Sequence, residues 1–207
     1  MLNHGLMRRL ALALLVCAAS CCRFAMAEVT VDQVLSERAA VGAQPRVFHA
    51  STPEGDLVLG AVLGPESGRL LVLRRNAAGR YDVEAASAPF RNDFGIGYDL
   101  EIVEYNGKGR FSMDVAAHSA CGVRVDTFRF YRASGQWRVS GYDREDPDVQ
   151  SCDVNFRART YSANLLTGQV VVTTWRQGRA VAVNKRKARI DAPRLEDFSF
   201  SLFADEP

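Results

Sequence analysis

The chain has 207 residues, of which 47% are hydrophobic and 24% charged, and both fractions are ordinary for a globular protein. This composition excludes a disordered chain, a collagen-like repeat and a coiled coil. The formal net charge is +2, from 26 Lys and Arg against 24 Asp and Glu. Without the three arginines of residues 1–27 the balance is 23 to 24, so bulk charge favours neither nucleic acid nor an anionic membrane as a partner.

Residues 1–27 have the layout of a secretory signal peptide. Arg8 and Arg9 supply the positive start, and Leu10–Ala19 is an apolar run. The two arginines also resemble a twin-arginine signal, although their flanking residues differ from that motif. The apolar run is too short for a bilayer core of about 30 Å, and no later segment is longer, so we expect no transmembrane segment.

A small-x-small site at the end of the apolar segment predicts signal cleavage between Ala27 and Glu28. The mature protein would then be a single β-rich domain over residues 28–207, periplasmic or secreted. The alternative is a lipoprotein anchored at Cys21, because Ala18–Cys21 resembles a lipobox. That segment lacks the usual leucine three positions before the cysteine.

A helix start is predicted at Thr30–Gln33, which has the form of a capping box. Val34 and Leu35 follow at helical spacing, and Pro45 stands beyond the end of the pattern. The sequence therefore predicts one short helix over Val31–Ala40 and no other.

After the helix the chain consists of short strand patterns separated by turn residues. The predicted strands are Leu57–Leu63, Leu70–Arg75, Arg80–Ala86, Asp99–Tyr105, Gly109–Ala117, Arg124–Arg132, Trp137–Tyr142, Asn155–Asn164 and Gln169–Trp175. The predicted hairpin loops are 76–79, 106–108, 133–136 and 165–168. A last strand is predicted where Phe198, Phe200 and Leu202 alternate with serines. Together they predict an all-β fold of antiparallel hairpins, arranged as a sandwich, barrel or twisted meander, with one short N-terminal helix.

Cys121 and Cys152 are the two cysteines that follow the signal peptide. An even pair in an oxidising compartment predicts a disulfide between them. By chain entropy such a bond would stabilise the fold by roughly 3–4 kcal/mol. The alternative is a thiol nucleophile at Cys121, with His118 three residues before it.

The familiar catalytic motifs are absent from the sequence after the signal peptide. It contains no G-x-S-x-G, H-E-x-x-H, P-loop or C-x-x-C pattern. Only His49 and His118 remain as imidazole donors, too few for a zinc site if the thiols are paired. The sequence thus favours a protein that is not an enzyme and predicts neither a metal nor a cofactor.

Two charged clusters each have a functional and a structural interpretation. The acidic stretch Asp143–Asp148 fits a calcium loop in ligand type but not in spacing, and it also fits the paired carboxylates of a hydrolase or a solvated loop. The basic run Lys185–Arg189 fits an acidic partner or a phosphate polymer. It is equally typical of lysines that protect an exposed sheet edge from aggregation.

Four aromatic side chains are candidates for a recognition surface, because aromatic residues dominate interface energetics. They are Tyr131, Trp137, Tyr142 and Trp175. Aromatic residues at strand spacing are also typical of a core.

From about Leu70 onward the chain resembles a loose set of uncharacterised bacterial exported proteins and lipoproteins. The resemblance depends on Thr127–Tyr131, Gly135–Asp143 and Tyr161–Gly168. In that set the three segments recur as an aromatic strand, a glycine turn with a second strand, and a later turn. Members often carry an aspartate-rich calcium loop, of which only Asp56 remains here.

Some similar β-rich periplasmic proteins inhibit lysozyme or act as immunity proteins against enzymes that degrade the cell wall. The resemblance implies a Ser-Gly loop and a tyrosine placed in the partner's cleft. Ser134 and Gly135 match the loop, and Ser140 to Tyr142 is a second match. Strict strand alternation would leave Arg138, Ser140 and Tyr142 exposed together.

We therefore predict an exported, non-enzymatic binding protein whose binding residues are Ser134, Gly135, Arg138, Ser140 and Tyr142. The expected partner is another envelope protein, and inhibition of a cell-wall hydrolase is the sharpest version of this hypothesis. The alternative is an envelope hydrolase that uses paired carboxylates. The sequence specifies neither the partner nor the oligomeric state.

Overall fold

Over the residues that the structure describes, the strands form two antiparallel sheets, and one helix precedes them. The computed structural model describes residues 29–91, 98–119, 122–146, 158–177, 179–189 and 191–200. Helix α1 spans Val31–Ala39, within one residue of the predicted helix. The predicted all-β fold of antiparallel hairpins with one short N-terminal helix is confirmed.

The first sheet has five strands in the order β1-β2-β3-β4, and β5 pairs with the start of β3. Its strands are β1 (Arg46–Ser51), β2 (Leu57–Leu63), β3 (Ser67–Arg75), β4 (Tyr81–Ala86) and β5 (Phe90–Arg91). Every pairing is antiparallel, as expected for strands that are joined by short turns.

The second sheet has seven strands in sequence order, from β6 at one edge to β12 at the other. Its strands are β6 (Tyr98–Tyr105), β7 (Arg110–Ser119), β8 (Gly122–Ala133), β9 (Gln136–Glu145), β10 (Arg159–Asn164), β11 (Gln169–Arg176) and β12 (Arg179–Lys187). Each strand therefore pairs with its neighbours in the chain, and the sheet is a meander of hairpins.

The main core lies between the two sheets. Leu59 and Leu70 contribute to it from the five-stranded sheet, and Phe111 and Phe128 from the seven-stranded sheet. A 3₁₀ helix at Leu195–Asp197 follows the last strand, and Leu195 and Phe198 are buried in the same core. The two sheets thus form a sandwich.

Helix α1 covers the other face of the five-stranded sheet. Every residue of β2 is buried, because its alternate side chains meet the core on one side and the helix on the other. A Cβ at Gly60 would lie 2.4 Å from Cδ2 of Leu35, so glycine makes room for the helix at this point. The layers follow in the order helix, five-stranded sheet, seven-stranded sheet.

The predicted last strand is wrong for the residues that the structure describes there. Phe198 and Phe200 lie outside any strand, and Leu202 lies outside the described residues. Phe198 packs against Phe128 of β8 and Phe90 of β5, with ring centroids 5.3 and 6.4 Å apart. The aromatic residues of this segment fill the core rather than one face of a paired strand.

The predicted signal peptide, its cleavage site at Ala27 and Glu28, and Cys21 lie outside the described residues. Over the part of the chain that the structure describes, no helix has the length and apolar character needed to cross a membrane.

Candidate functional site

The turn between β8 and β9 is the predicted Ser-Gly hairpin. Ser134 and Gly135 have φ angles of 51° and 79°, as a two-residue hairpin turn requires, and both are exposed. Because strand directions alternate, the turns 106–109, 134–135 and 165–168 lie at one end of the seven-stranded sheet, here called the turn end.

A β-bulge in β9 changes which side chains face the core. Arg129 of β8 pairs with Gly141, but the next residue, Phe130, pairs with Val139, so Ser140 is an extra residue. The alternation after the bulge is reversed, and Tyr142 is only 1% exposed. The predicted exposure of Tyr142 beside Arg138 and Ser140 is therefore wrong.

The buried phenol of Tyr142 belongs to a polar cluster at the end of the core opposite the turn end. Its hydroxyl donates to Oδ1 of Asp126 at 2.6 Å, and Nε of Arg144 donates to the same oxygen at 2.8 Å. Nε of Arg124 donates to Oδ2 of Asp126 at 3.1 Å. Burial, followed by the hydrogen bond to the Asp126 carboxylate, raises the pKa of Tyr142 above its ordinary value. In this cluster the buried Asp126 carboxylate is neutralised by two arginines and accepts a hydrogen bond from the phenol.

Arg138 and Ser140 remain on the outer face of the seven-stranded sheet, the face turned away from the core. Arg138 is held by the backbone oxygen of Ala192 and by Oε1 of Gln136, each at 2.9 Å from a guanidinium nitrogen. Ser140 donates to the backbone oxygen of Arg129 at 3.2 Å and lines a cleft.

The first cleft lies on the outer face at the turn end and has a volume of about 300 Å³. Strands β7 to β9 and the adjoining turns supply its walls. They are lined by Asn106, Arg110, Phe111, Arg129, Tyr131, Ser140, Asn164 and Leu166.

Two asparagines fix the turns that border the first cleft. Nδ2 of Asn106 donates to Oγ of Ser112 at 2.7 Å. Oδ1 of Asn164 accepts the backbone N–H groups of Leu166 and Thr167 at 3.1 and 3.0 Å, an Asx turn. The turn holds the Leu166 side chain, which is 47% exposed, beside the cleft.

The two arginines of the first cleft differ in charge compensation. Arg129 forms two hydrogen bonds with the carboxylate of Asp143, one of them 3.0 Å long, and lies against Gly141, where a Cβ would be 2.6 Å from its Nε. The guanidinium carbon of Arg110 lies 5.4 Å from the ring centroid of Tyr131. Arg110 forms no salt bridge with any residue that the structure describes, so its charge is available to a ligand.

A second cleft of about 450 Å³ continues from the first toward the sheet edge. It is lined by Asn164, Thr167, Gln169, Lys185, Arg186 and Lys187, so Asn164 is common to both clefts. Neither set of lining residues includes an aspartate or a glutamate. The two clefts together form a cationic surface, which we call the outer-face surface.

The acidic stretch does not form a cluster among the residues described. Asp143 is paired with Arg129, Glu145 is exposed, and Asp148 lies outside the described residues. The described part of the chain contains no group of three His, Cys, Asp or Glu that could hold a metal ion. Cys121 and Cys152 also lie outside it, so their disulfide stays a prediction.

The four aromatic candidates separate into different environments. Trp137 and Tyr142 are in the core, whereas Tyr131 lines the first cleft. Trp175 is partly buried and donates from Nε1 to Oγ1 of Thr160 at 3.1 Å. Only Tyr131 contributes to the outer-face surface.

The sequence prediction missed Arg110, Arg129 and Asn164, although it had singled out Tyr131, Ser140 and the basic run that begins at Lys185. Arg129 carried a usable signal, since it alternates with two buried phenylalanines along β8. Gly141 was a second signal, because glycine inside a strand pattern often marks a bulge. Bringing three separate turns to one end of the sheet required the strand order, which the sequence alone does not specify.

The chain matches no family model, no curated protein and no solved structure. The resemblance to bacterial exported proteins stays a prediction, and the geometry of the clefts is the basis for the function proposed below.

Proposed function

We propose that this protein is an exported, non-enzymatic binding protein that holds an acidic macromolecule against its outer-face surface. One observation supports this best: the residues that line two adjoining clefts include five cations and no aspartate or glutamate. Lys185 and Lys187, like Arg110, form no salt bridge with a described residue. An acidic partner would therefore meet uncompensated charge.

The residue types of the first cleft suit protein recognition. Arginine and tyrosine are enriched among the residues that dominate binding energy, and Arg110 stacks on Tyr131. The exposed Leu166 supplies apolar contact next to these polar groups. The residues that line the two clefts stand on paired strands or on turns fixed by side-chain hydrogen bonds. Little conformational ordering of the backbone is therefore needed on binding.

A cell-wall glycosidase is the specific partner that we propose. Such enzymes usually use two carboxylates in the cleft that receives the polysaccharide, so their binding clefts carry negative charge. The exposed Ser134–Gly135 turn lies at the same end of the sheet as the cationic clefts. A turn inserted into the enzyme cleft, flanked by Arg110, would block access of the polysaccharide.

The test uses affinity capture from an envelope extract with the mature protein, followed by mass spectrometry and a peptidoglycan-hydrolysis assay of the captured protein. Arg110→Ala and Tyr131→Ala are the site variants. Arg80→Ala is the matched control, because it removes one exposed cation from the turn between β3 and β4.

We expect each site variant to weaken binding of the captured protein by about thirtyfold, the equivalent of about 2 kcal/mol for a dominant interface residue. Arg80→Ala should bind like the wild type. A captured protein that binds all four forms equally well, or whose hydrolytic activity is unchanged in the complex, would contradict the proposal.

A further inference from the structure

Strand β12 is an open edge of the seven-stranded sheet. It pairs with β11 on one side, and no described strand pairs with its other side. All nine of its residues are exposed, including Val181 at 54% and Val183 at 55%. The seven-stranded sheet is wider than the five-stranded sheet, and no β12 side chain belongs to the core between them. Among the described parts of the chain, β12 is thus unpaired along its outer edge, and its side chains are exposed.

The backbone groups at this edge have an assignable direction. The backbone N–H of Ala188, just after β12, donates to the backbone oxygen of Gly168, just before β11. Backbone N–H and C=O groups alternate in direction along a strand. Those of Asn184 therefore point toward β11, while those of Val183, Lys185 and Lys187 point away from it. These three residues present a row of donors and acceptors that another strand could pair with.

The charge of β12 selects the kind of strand that fits. The segment from Arg179 to Arg189 contains five cations and no acid. Two copies of β12 paired antiparallel about Lys185 would set the two Lys185 side chains opposite each other, and like charges in direct opposition are destabilising. The cations therefore disfavour pairing with a second copy and favour an acidic strand.

We propose that β12 binds an extended acidic segment of the partner protein by strand addition, as an eighth strand of the sheet. The inference rests on the proposed function in one respect, that the partner is acidic. In antiparallel register, acidic residues near the start of the segment would lie beside Lys185 and Lys187. Apolar residues further along would lie beside Val183. The cations of β12 thus oppose pairing with a second copy and favour pairing with an acidic strand.

The probe is a fluorescein-labelled decapeptide whose first half alternates glutamate with threonine and whose second half alternates valine with threonine. Binding to the mature protein is measured by fluorescence anisotropy at low and high salt. A second peptide has the same sequence with N-methyl groups on alternate residues, so that its charge is unchanged but its backbone cannot donate to the ladder.

The protein variants separate charge from backbone pairing. Lys185→Gln/Lys187→Gln removes two cations from β12, and Arg38→Gln/Arg80→Gln removes two exposed cations elsewhere. Val183→Pro removes one outward N–H without changing the charge. The N-methylated peptide gives the same information should the proline variant fold poorly.

We expect the unmodified peptide to bind in a salt-sensitive manner, and the double Lys variant to weaken binding about tenfold while the Arg38/Arg80 control does not. N-methylation of the peptide, or Val183→Pro, should also weaken binding at least about tenfold. Equal binding of the methylated and unmodified peptides would overturn strand addition, as would the absence of any binding.

The remaining outcomes separate this inference from the proposed function. Peptide binding that is lost in Arg110→Ala but kept in the double Lys variant overturns strand addition and leaves the cleft proposal standing. Self-association of the peptide-free protein that Val183→Pro abolishes would make a second copy the occupant. If the partner binds Arg110→Ala as well as the wild type, and Val183→Pro weakens binding of the peptide, the cleft proposal alone is overturned.

Discussion

At the scale of single residues, the buried polar cluster around Asp126 links the stability of the sandwich to substitution and to pH. A carboxylate with 5% exposure would be costly without partners, and here it accepts hydrogen bonds from Tyr142, Arg144 and Arg124. The tyrosine expected at a binding surface thus has a structural role. Tyr142→Ala should unfold the protein rather than weaken binding selectively.

Tyr142→Phe gives a prediction about alkaline pH. The unfolded chain loses the phenolic proton near the ordinary pKa of 10.0, whereas the folded protein keeps it because its pKa is raised. The unfolded state then binds fewer protons, so stability falls as the pH rises above about 10. Between about pH 10 and about pH 11, the free energy of unfolding measured with urea should fall by about 1 kcal/mol more in the wild type than in Tyr142→Phe.

The comparison has its own control, because the other tyrosines and the lysines titrate in both proteins and cancel in the difference. Near neutral pH the variant should be less stable by about 1–3 kcal/mol, since Asp126 loses one buried hydrogen bond. Parallel pH profiles for the two proteins would show that the Tyr142 proton does not contribute.

Trp137 gives a second prediction at this scale. Its side chain is 2% exposed, packs on Phe111 and donates from Nε1 to Oε1 of Glu84 at 3.2 Å. Trp137→Ala should therefore lower the free energy of unfolding by about 3–5 kcal/mol. Trp175 is only partly buried, so Trp175→Ala should cost less than about 2 kcal/mol. Thermal and urea unfolding of both variants would decide, and similar losses would contradict the assignment of faces.

At the scale of elements, the packing of α1 on β2 depends on the absence of a side chain at Gly60. A methyl group there would overlap the side chain of Leu35, which is fully buried, so that side chain or the helix must shift. We expect Gly60→Ala to destabilise the fold by about 1–3 kcal/mol, because overpacking displaces the helix.

The double variant Gly60→Ala/Leu35→Ala tests this cause directly. Leu35→Ala alone should cost about 2–5 kcal/mol, but in the double variant the new methyl group occupies part of the vacated space. The combined loss should then be smaller than the sum of the single losses by at least about 0.5 kcal/mol. Additive losses, measured by urea unfolding, would mean that the two positions do not meet.

Elements with a clear apolar periodicity could be predicted from the sequence, and those without it could not. β2 and β8 carry unbroken or alternating apolar patterns and were predicted nearly at their observed bounds. β12 was not predicted as a strand, because both of its faces are exposed and no apolar pattern remains. The interpretation of its lysines as protection of an exposed sheet edge agrees with its position at the edge of the sheet. β1 has no buried residue, and β5 has only two residues, so both gave too weak a signal.

The candidate site was less predictable than the fold, because its position depends on one bulge and on the order of the strands. Ser140 was chosen correctly as an outer-face residue, but the same reasoning placed Tyr142 beside it. One extra residue in a strand reverses the face of every residue that follows, and no periodicity rule reports where that residue is. Asn106 and Asn164 lie far apart in the chain and meet the first cleft only through the meander.

At the scale of the whole molecule, the direction of the strands bears on the predicted disulfide. β7 ends and β8 begins at the same end of the sheet at which β9 ends and β10 begins. Cys121 belongs to the first of these connections in the sequence and Cys152 to the second. The residues that flank these two connections therefore lie at one end of the sheet, and the disulfide stays a prediction.

Labelling of free thiols in unfolded, unreduced mature protein tests the disulfide. We expect no labelled cysteine, and we expect reduction to lower the free energy of unfolding by roughly 3–4 kcal/mol. Two labelled thiols per chain would contradict the bond and return attention to Cys121 and His118 as a chemical site.

The segment that closes the core follows the last strand in the sequence. Leu195 and Phe198 are 0% and 1% exposed, and Phe198 packs on rings from both sheets. The two sheets therefore do not fill the sandwich by themselves, because side chains that follow the last strand in the sequence occupy the space between them. A variant without residues 195–200 would keep every strand but would leave a cavity between the sheets. The core is thus assembled from three parts of the sequence, and its packing is complete only when the third part is in place.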